Sequence, residues 1–324
     1  PNPARIINLS LGSADTCATV YSNAIAELAE AGVLVIASAG NDSGPVETPA
    51  NCSGVLAVGG LRHVGTKVGY SSLGSQVGIS APAGNCPDVD TTFLCSFSLV
   101  TADNTGQTVP AASSYTDDVN YNIGTSFSAP IVAAVAGLMY SVNDGLTTGE
   151  FIARIKSSAR PFPEPQPGLP TCPDLDSETA QCNCTTSTCG AGIADAPGAV
   201  NEALRPMARV VKPSGSGAGL NVTLDGGSSA AARDRTIVSY AWTGTSGDPT
   251  FVGGTSGQTA TVAVPSSGQV TVQLQVTDDA GRTDAQDVTL GAAPGGGGGG
   301  GGALHPLLLA GLVLLSARPR RPQR

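Results

Sequence analysis

The stretch GTSFSAP, residues 124–130, places a small hydroxyl between a glycine turn and a long apolar run. Two chemistries suit Ser126. As a helix N-cap, its oxygen would accept one of the amide hydrogens left free at a helix start. As a nucleophile it would profit from the same location. A helix amino end carries partial positive charge and unpaired N–H groups, which suit an oxygen that becomes an oxyanion. Asn41 closes another apolar run, VLVIASAGN (33–41). A side-chain amide and a helix-terminal N–H facing one serine make an oxyanion hole. The stretch alone leaves both readings of Ser126 open.

Such groups need a frame that brings them together. Residues 5–13 (RIINLSLGS) are a short apolar run ended by Gly12, a predicted buried strand. Residues 17–32 carry apolar side chains at helical spacing and stop at Gly32. The runs 33–41, 55–61 and 77–82 do not alternate, the pattern of parallel strands covered by helices on both faces. A long loop is predicted over 83–121, then a helix starting near Ser126. A second helix covers 147–159, where Thr147 and Glu150 form a capping-box signature, and a short third lies around 197–204. In open sheets of this kind ligands bind beyond the carboxyl ends of the strands. The segments at Gly12 and Asn41 and the helix start at Ser126 can therefore meet on one rim.

Beyond Arg205 the pattern changes. VTVQLQVTD (270–278) alternates strictly, with Val270, Val272, Leu274 and Val276 on one face. With IVSYAWT (237–243) and the turn DDAGR (278–282) it predicts a small antiparallel β-sandwich, with Trp242 in its core. Eight consecutive glycines at 295–302 read as a flexible linker.

The chain has 324 residues, enough for about two domains, and carries a net charge of −9. That balance argues against nucleic acid as a partner. The eight cysteines stand against only two histidines, neither near a cysteine. Disulfides in an oxidising compartment are expected rather than a zinc site.

At INLSLGS, VIASAGND, VLAVGGL, YSSLGSQVGISAPAG and GTSFSAP the chain resembles the subtilisin-like (S8) serine proteases, in order from residue 5 to about 204. The resemblance implies an α/β parallel-sheet catalytic domain over 1–204 that hydrolyses protein or peptide substrates. It implies Ser126 as nucleophile and the Asn41 side chain as oxyanion donor. Ser10, Leu11 and Gly12, with Ser38, Ala39 and Gly40, would bind the substrate backbone as an added strand. Alignment on Pro49 and the strand from Val55 puts Glu47 at the floor of the pocket for the residue before the scissile bond. A loop shift would instead turn Glu47 to solvent. No cofactor is required for this chemistry and no metal ligand is assigned; a structural calcium stays open.

The chain departs from the family at two places. Ile131 stands where the family usually has a histidine that is not the catalytic base. No segment resembles those that carry the family's Asp and His, which precede the serine in chain order. His63, in LRHVGTKVG, reads as a surface-loop residue, and His305 lies in the apolar tail. The expectation is that Asp and His lie upstream and that residues 1–324 alone are inactive.

TC…PANC and the segment up to CGAGIADA resemble the extracellular, disulfide-bearing bacterial branch. Cys17 is expected to pair with Cys52, and Cys86 with Cys95. Among Cys172, Cys182, Cys184 and Cys189 three pairings exist, of which 172–182 with 184–189 is favoured. Residues 205–291 resemble a PKD-type Ig-like domain, either a polymer-contacting module or a spacer. After the linker 292–302, residues 303–324 resemble a GlyGly-CTERM sorting signal, an apolar stretch followed by four arginines. That resemblance implies a rhomboid-type sorting protease as partner and a secreted or cell-surface destination through the bacterial envelope. The plainer reading is membrane contact through 303–317. The competing function is a non-catalytic protease-like scaffold that presents the PKD-like module; an intact GTSFSAP and ASAGND favour the enzyme.

Overall fold

Strands β1 (Ile6–Leu9), β2 (Leu34–Ser38), β3 (Val55–Leu61) and β4 (Val77–Pro82) form one sheet in that order, all parallel. The structure, a computed structural model, describes residues 4–85, 97–117, 122–173, 181–214 and 217–291. Cys86, Cys95, the glycine run and the tail 303–324 lie outside the described residues. β2, all of whose residues are buried, follows α1 (Thr19–Glu30) and fits the expected unalternating pattern. β1 differs from the expected buried strand: Asn8 is exposed and Ile6, Ile7 and Leu9 only half-buried. The reason is its edge position, since among the described residues β2 is its one strand partner.

Helix α2 (Thr125–Val142) lies on the sheet. Its residues Ala129, Val132, Ala136 and Met139 are fully buried with Leu34, Ile36, Leu56, Val58 and Ile79. Each large apolar side chain so removed from water contributes roughly 1.5–3 kcal/mol. α2 is apolar and long enough to cross a membrane by composition, but this packing makes it a core helix. Against it rest α3 (Thr148–Ser157) and α4 (Ala196–Ala203). Both halves of the Thr147–Glu150 capping box are present at the start of α3. Within the expected loop 83–121 the chain forms a small hairpin, β5 (Thr101–Asn104) with β6 (Ser113–Thr116). Its short polar strands carry no apolar run for sequence patterning to detect.

Two three-stranded antiparallel sheets follow. β7 (Asn221–Asp225), β10 (Thr259–Ala263) and β9 (Thr250–Phe251) make one; β12 (Thr283–Gly291), β11 (Gln269–Asp278) and β8 (Ile237–Ser246) make the other. Val270, Val272, Leu274 and Val276 of β11 all face the shared core. Trp242 is buried there, and its indole N–H donates to the Gly257 carbonyl at 2.9 Å.

The sandwich is clamped to the α/β layer by arginines. Arg154 of α3, 8% exposed, donates to the carbonyls of Glu202, Arg205 and Pro206 and faces Asp284 of β12 at 3.7 Å. Asp284 also pairs with Arg205 at 3.3 Å and accepts the Ala208 amide hydrogen at 2.9 Å. Arg209 pairs with Glu150, and Arg233 with Asp144, across the same seam. Asp284→Ala removes the countercharge of a buried arginine. The expected loss is about 1–3 kcal/mol, below the full cost of a stranded buried charge because three carbonyls still hold Arg154. Urea unfolding of the variant beside Asp284→Asn, which keeps an acceptor for Ala208, checks it; equal stability of all three proteins would exclude the clamp.

Candidate active site

Parallel register sets Leu9 beside Ala37, so the chain leaves β1 and β2 with Ser10–Gly12 next to Ser38–Gly40. Ser38 is buried and its hydroxyl reaches the Leu11 carbonyl at 3.4 Å. Ser10 and Leu11 are exposed, Leu11 at 57%. This rim is tied to α2: the Ser10 hydroxyl donates to the Ser126 carbonyl at 2.7 Å, and the Ser126 hydroxyl points back to the Ser10 carbonyl at 3.4 Å. Ser126 is half-buried, in the first turn of α2.

Ser126 is not the cap of its helix. The N-cap is Gly124, which makes no side-chain capping bond. Its φ of 126° lies where a side chain is strained, so glycine belongs there. The Gly124 amide donates to the Tyr70 hydroxyl at 2.9 Å and to the Ala83 carbonyl at 3.0 Å. Tyr70 is buried and its hydroxyl donates to the same Ala83 carbonyl. Burial pushes its phenol well above the usual range, so it stays a neutral donor.

Thr125 decides how Asn41 is oriented. The Thr125 backbone N–H (3.0 Å) and hydroxyl (2.9 Å) both donate to Asn41 Oδ1. A backbone N–H can only donate, so the carbonyl end of the amide must face it. Among the described residues no hydrogen bond engages Asn41 Nδ2 or the Ser126 backbone N–H. A Cβ on Gly124 would stand 3.5 Å from Asn41 Nδ2 and 3.7 Å from the Ser126 nitrogen. Two donors thus flank one small space, kept open because residue 124 has no side chain. Sequence reading named Asn41 and Ser126 but not Thr125, Gly124 or Tyr70. Thr125 and Gly124 sat inside the quoted GTSFSAP, and nothing in the pattern linked Tyr70 to it.

Glu47 is buried at 9% exposure and does not turn to solvent. Its amide donates to the Ala39 carbonyl, and its Oε1 accepts the Asn41 N–H at 2.9 Å. The carboxyl lies between the two rim segments. A Cβ on Gly12 would meet Oε2 at 2.4 Å, and one on Gly40 would meet Oε1 at 2.1 Å. Among the described residues no basic side chain pairs with it. Burial raises its pKa, offset in part by the Asn41 N–H, and the charge of Asp42 raises it further.

His63 is exposed and packs against Phe97, ring centroids 4.2 Å apart. Ile131 is partly exposed on α2. Three disulfides are described, Cys17–Cys52, Cys172–Cys182 and Cys184–Cys189. The sulfurs of Cys172, Cys184 and Cys189 lie within 4.8 Å of one another, but two of these bonds already hold them.

A family profile described as the subtilase family matches residues 1–192. The chain belongs to the subtilase family. A PKD-domain profile matches residues 218–291. An extracellular protease of Xanthomonas campestris is 34% identical over 206 residues, 63% of this chain and 29% of that one. An extracellular basic protease of Dichelobacter nodosus is 29% identical over 147 residues, 45% of this chain and 22% of its own. A protease structure from Pseudoalteromonas arctica shares 33% identity with a TM-score of 0.50, covering 62% of this chain and 52% of that one. The chain therefore spans less than a third of these two curated relatives and about half of this solved neighbour.

The buried carboxyl has a consequence for stability in this subtilase. A carboxyl whose folded pKa is raised contributes stability that is complete below its ordinary pKa and is lost as pH rises through the folded value. Glu47→Gln should therefore raise the unfolding temperature at pH 7 and change it little near pH 4. Calorimetry at the two values checks this; an equal effect at both would show an unperturbed carboxyl.

Proposed function

We propose that this subtilase chain is the serine-bearing part of a secreted endopeptidase that works through an acyl-enzyme on Ser126. The paired donors around Gly124 carry the reading. In this scheme a peptide lies as an extra strand between Ser10–Gly12 and Ser38–Gly40, with its backbone bonded to the rim. The Ser126 oxygen attacks the scissile carbonyl as its proton passes to a base. The carbonyl oxygen becomes an oxyanion in the space beside Gly124, where the Ser126 N–H and Asn41 Nδ2 donate to it. The amine leaves with the proton, and water releases the acyl group.

The base and its orienting carboxylate come from residues outside 1–324. The sequence has two histidines, and His63 lies in the loop after β3, against Phe97 and with no hydrogen bond to Ser126. A hydroxyl without a base is a weak nucleophile, so residues 1–324 alone are inactive. The scaffold alternative leaves unexplained why Thr125 spends two hydrogen bonds on orienting an amide whose donor end faces no partner. The extracellular relatives and the disulfides support export. The tail 303–324 fits a sorting signal removed by a rhomboid-type protease, and the PKD-like domain fits a contact to polymeric substrate.

Two measurements check this reading. Residues 1–324 should give no casein turnover, whereas the longer gene product should turn over and be stopped by a serine-directed phosphonate. In that product Asn41→Ala should lower kcat about 10²- to 10³-fold, a magnitude carried over from subtilisin's own oxyanion asparagine. Phosphonate-sensitive turnover by residues 1–324 would remove the requirement for an outside base.

Glu47, buried between Gly12 and Gly40 without a cationic partner, suits a substrate Lys or Arg before the scissile bond. An opposite charge gains more in a partly desolvated pocket than in water. In the longer product, kcat/KM for a Lys peptide should exceed that for the matched Phe peptide. Glu47→Gly should reverse the order, and salt should narrow the difference. Equal kcat/KM for the two peptides would place Glu47 outside the specificity pocket.

A further inference from the structure

The carboxyl ends of β3 and β4 open on a second recess, on the same rim as Ser10 and Ser38. At about 4.8 Å per strand it sits roughly 10 Å along the sheet from the β1–β2 ends. Its volume is about 250 Å³, and its lining includes Arg62, His63 and Arg160 beside Pro161, Pro163 and Ile193. Arg62 is held in place: Nε donates to Asn85 Oδ1 at 2.5 Å and Nη1 to Thr66 Oγ1 at 3.4 Å. The remaining N–H groups of its fork have no acceptor among the described residues. Among the described residues neither Arg62 nor Arg160 pairs with a carboxylate, although the whole chain carries a net charge of −9. The contrast is a recess of about 240 Å³ lined by Glu150, Arg154, Glu202, Arg205 and Asp284. There the charges neutralise one another across the domain seam.

We propose that the β3–β4 recess binds a peptide carboxylate, the side chain of an acidic residue presented by a polypeptide. Guanidinium groups recognise carboxylate and phosphate through paired N–H donors, so the recess demands an anionic oxygen group. The two prolines and Ile193 add apolar wall that a peptide stem covers and a hydrated inorganic ion leaves bare. The volume falls below the 300 Å³ or more typical of small-molecule sites, a size suited to about one residue of a chain running over the surface. Pro82 also lines the recess, and its carbonyl accepts the Ser128 hydroxyl at 3.0 Å. The site therefore backs on the first turn of α2, but binding there needs no chemistry at Ser126.

Calorimetric titration of the protein with a blocked Gly-Glu-Gly peptide and its Gln counterpart tests this without turnover. The Glu peptide should bind roughly tenfold or more tightly than the Gln peptide, and more weakly in high salt. Arg62→Gln with Arg160→Gln should abolish that preference, while Arg235→Gln, at the distant Asp279 pair, should keep it. Ser126→Ala should leave binding unchanged, so this proposal and the peptidase reading fail separately. Inorganic phosphate that competes with the Glu peptide would support the shared oxyanion chemistry. Phosphate that binds where the Glu peptide does not would overturn the peptide assignment. Equal affinity for both peptides, or binding indifferent to the double substitution, would also overturn it. If the double variant fails to fold, backbone amide shifts at Val64, Gly65 and Ile193 on adding Glu peptide to the unaltered protein decide the matter. Their absence would sink the proposal.

Discussion

Two hydrogen bonds from Thr125 to Asn41 Oδ1 join the carboxyl end of β2 to the amino end of α2. Much of the rim depends on them. They give one of the orphan amide hydrogens of the first helical turn an acceptor. They also select one of the two orientations of the Asn41 amide, because the donor at that end is a backbone N–H. With the carbonyl end committed, Nδ2 lies beside Gly124, near the Ser126 backbone nitrogen. The residue that follows Thr125 is Ser126, so the same clasp sets the height of its hydroxyl over Ser10.

The rim is assembled from small residues for a physical reason. Gly12 and Gly40 leave room for the Glu47 carboxyl, which any side chain at either position would displace. A carboxyl in that position is costly, since burial disfavours its charge and the Asn41 N–H returns only part of what water supplied. In the specificity proposed above, a cationic substrate side chain would complete this carboxyl.

The sandwich and the α/β layer solve the same problem differently. At their seam Arg154, Arg205, Arg209 and Arg233 each meet a carboxylate or a set of carbonyls, so nothing there waits for a ligand. At the β3–β4 recess Arg62 is braced by neutral oxygens and meets no carboxylate among the described residues. Among the described residues, cations are thus balanced where the domains touch and lack a carboxylate on the open rim.

Much of this was legible in the residues themselves. The unalternating runs of β2, β3 and β4 and the strict alternation of β11 are local signals of burial on two faces or on one. Thr147 with Glu150 announced a helix start, and GTSFSAP with ASAGND pointed to the serine and the asparagine. β1 is less covered than its apolar run leads one to expect because, among the described residues, it has a strand on one side only. The β5–β6 hairpin was missed because its short polar strands carry no period. The sequence by itself determined which segments become strands and helices, and which residue types stand ready for chemistry, because those follow from near neighbours along the chain. Only the tertiary structure decided that Gly124 rather than Ser126 caps α2, that Thr125 orients Asn41 from 84 residues away, and that Glu47 points inward between two glycines. Those outcomes rest on contacts between segments far apart in sequence, and no local pattern encodes them.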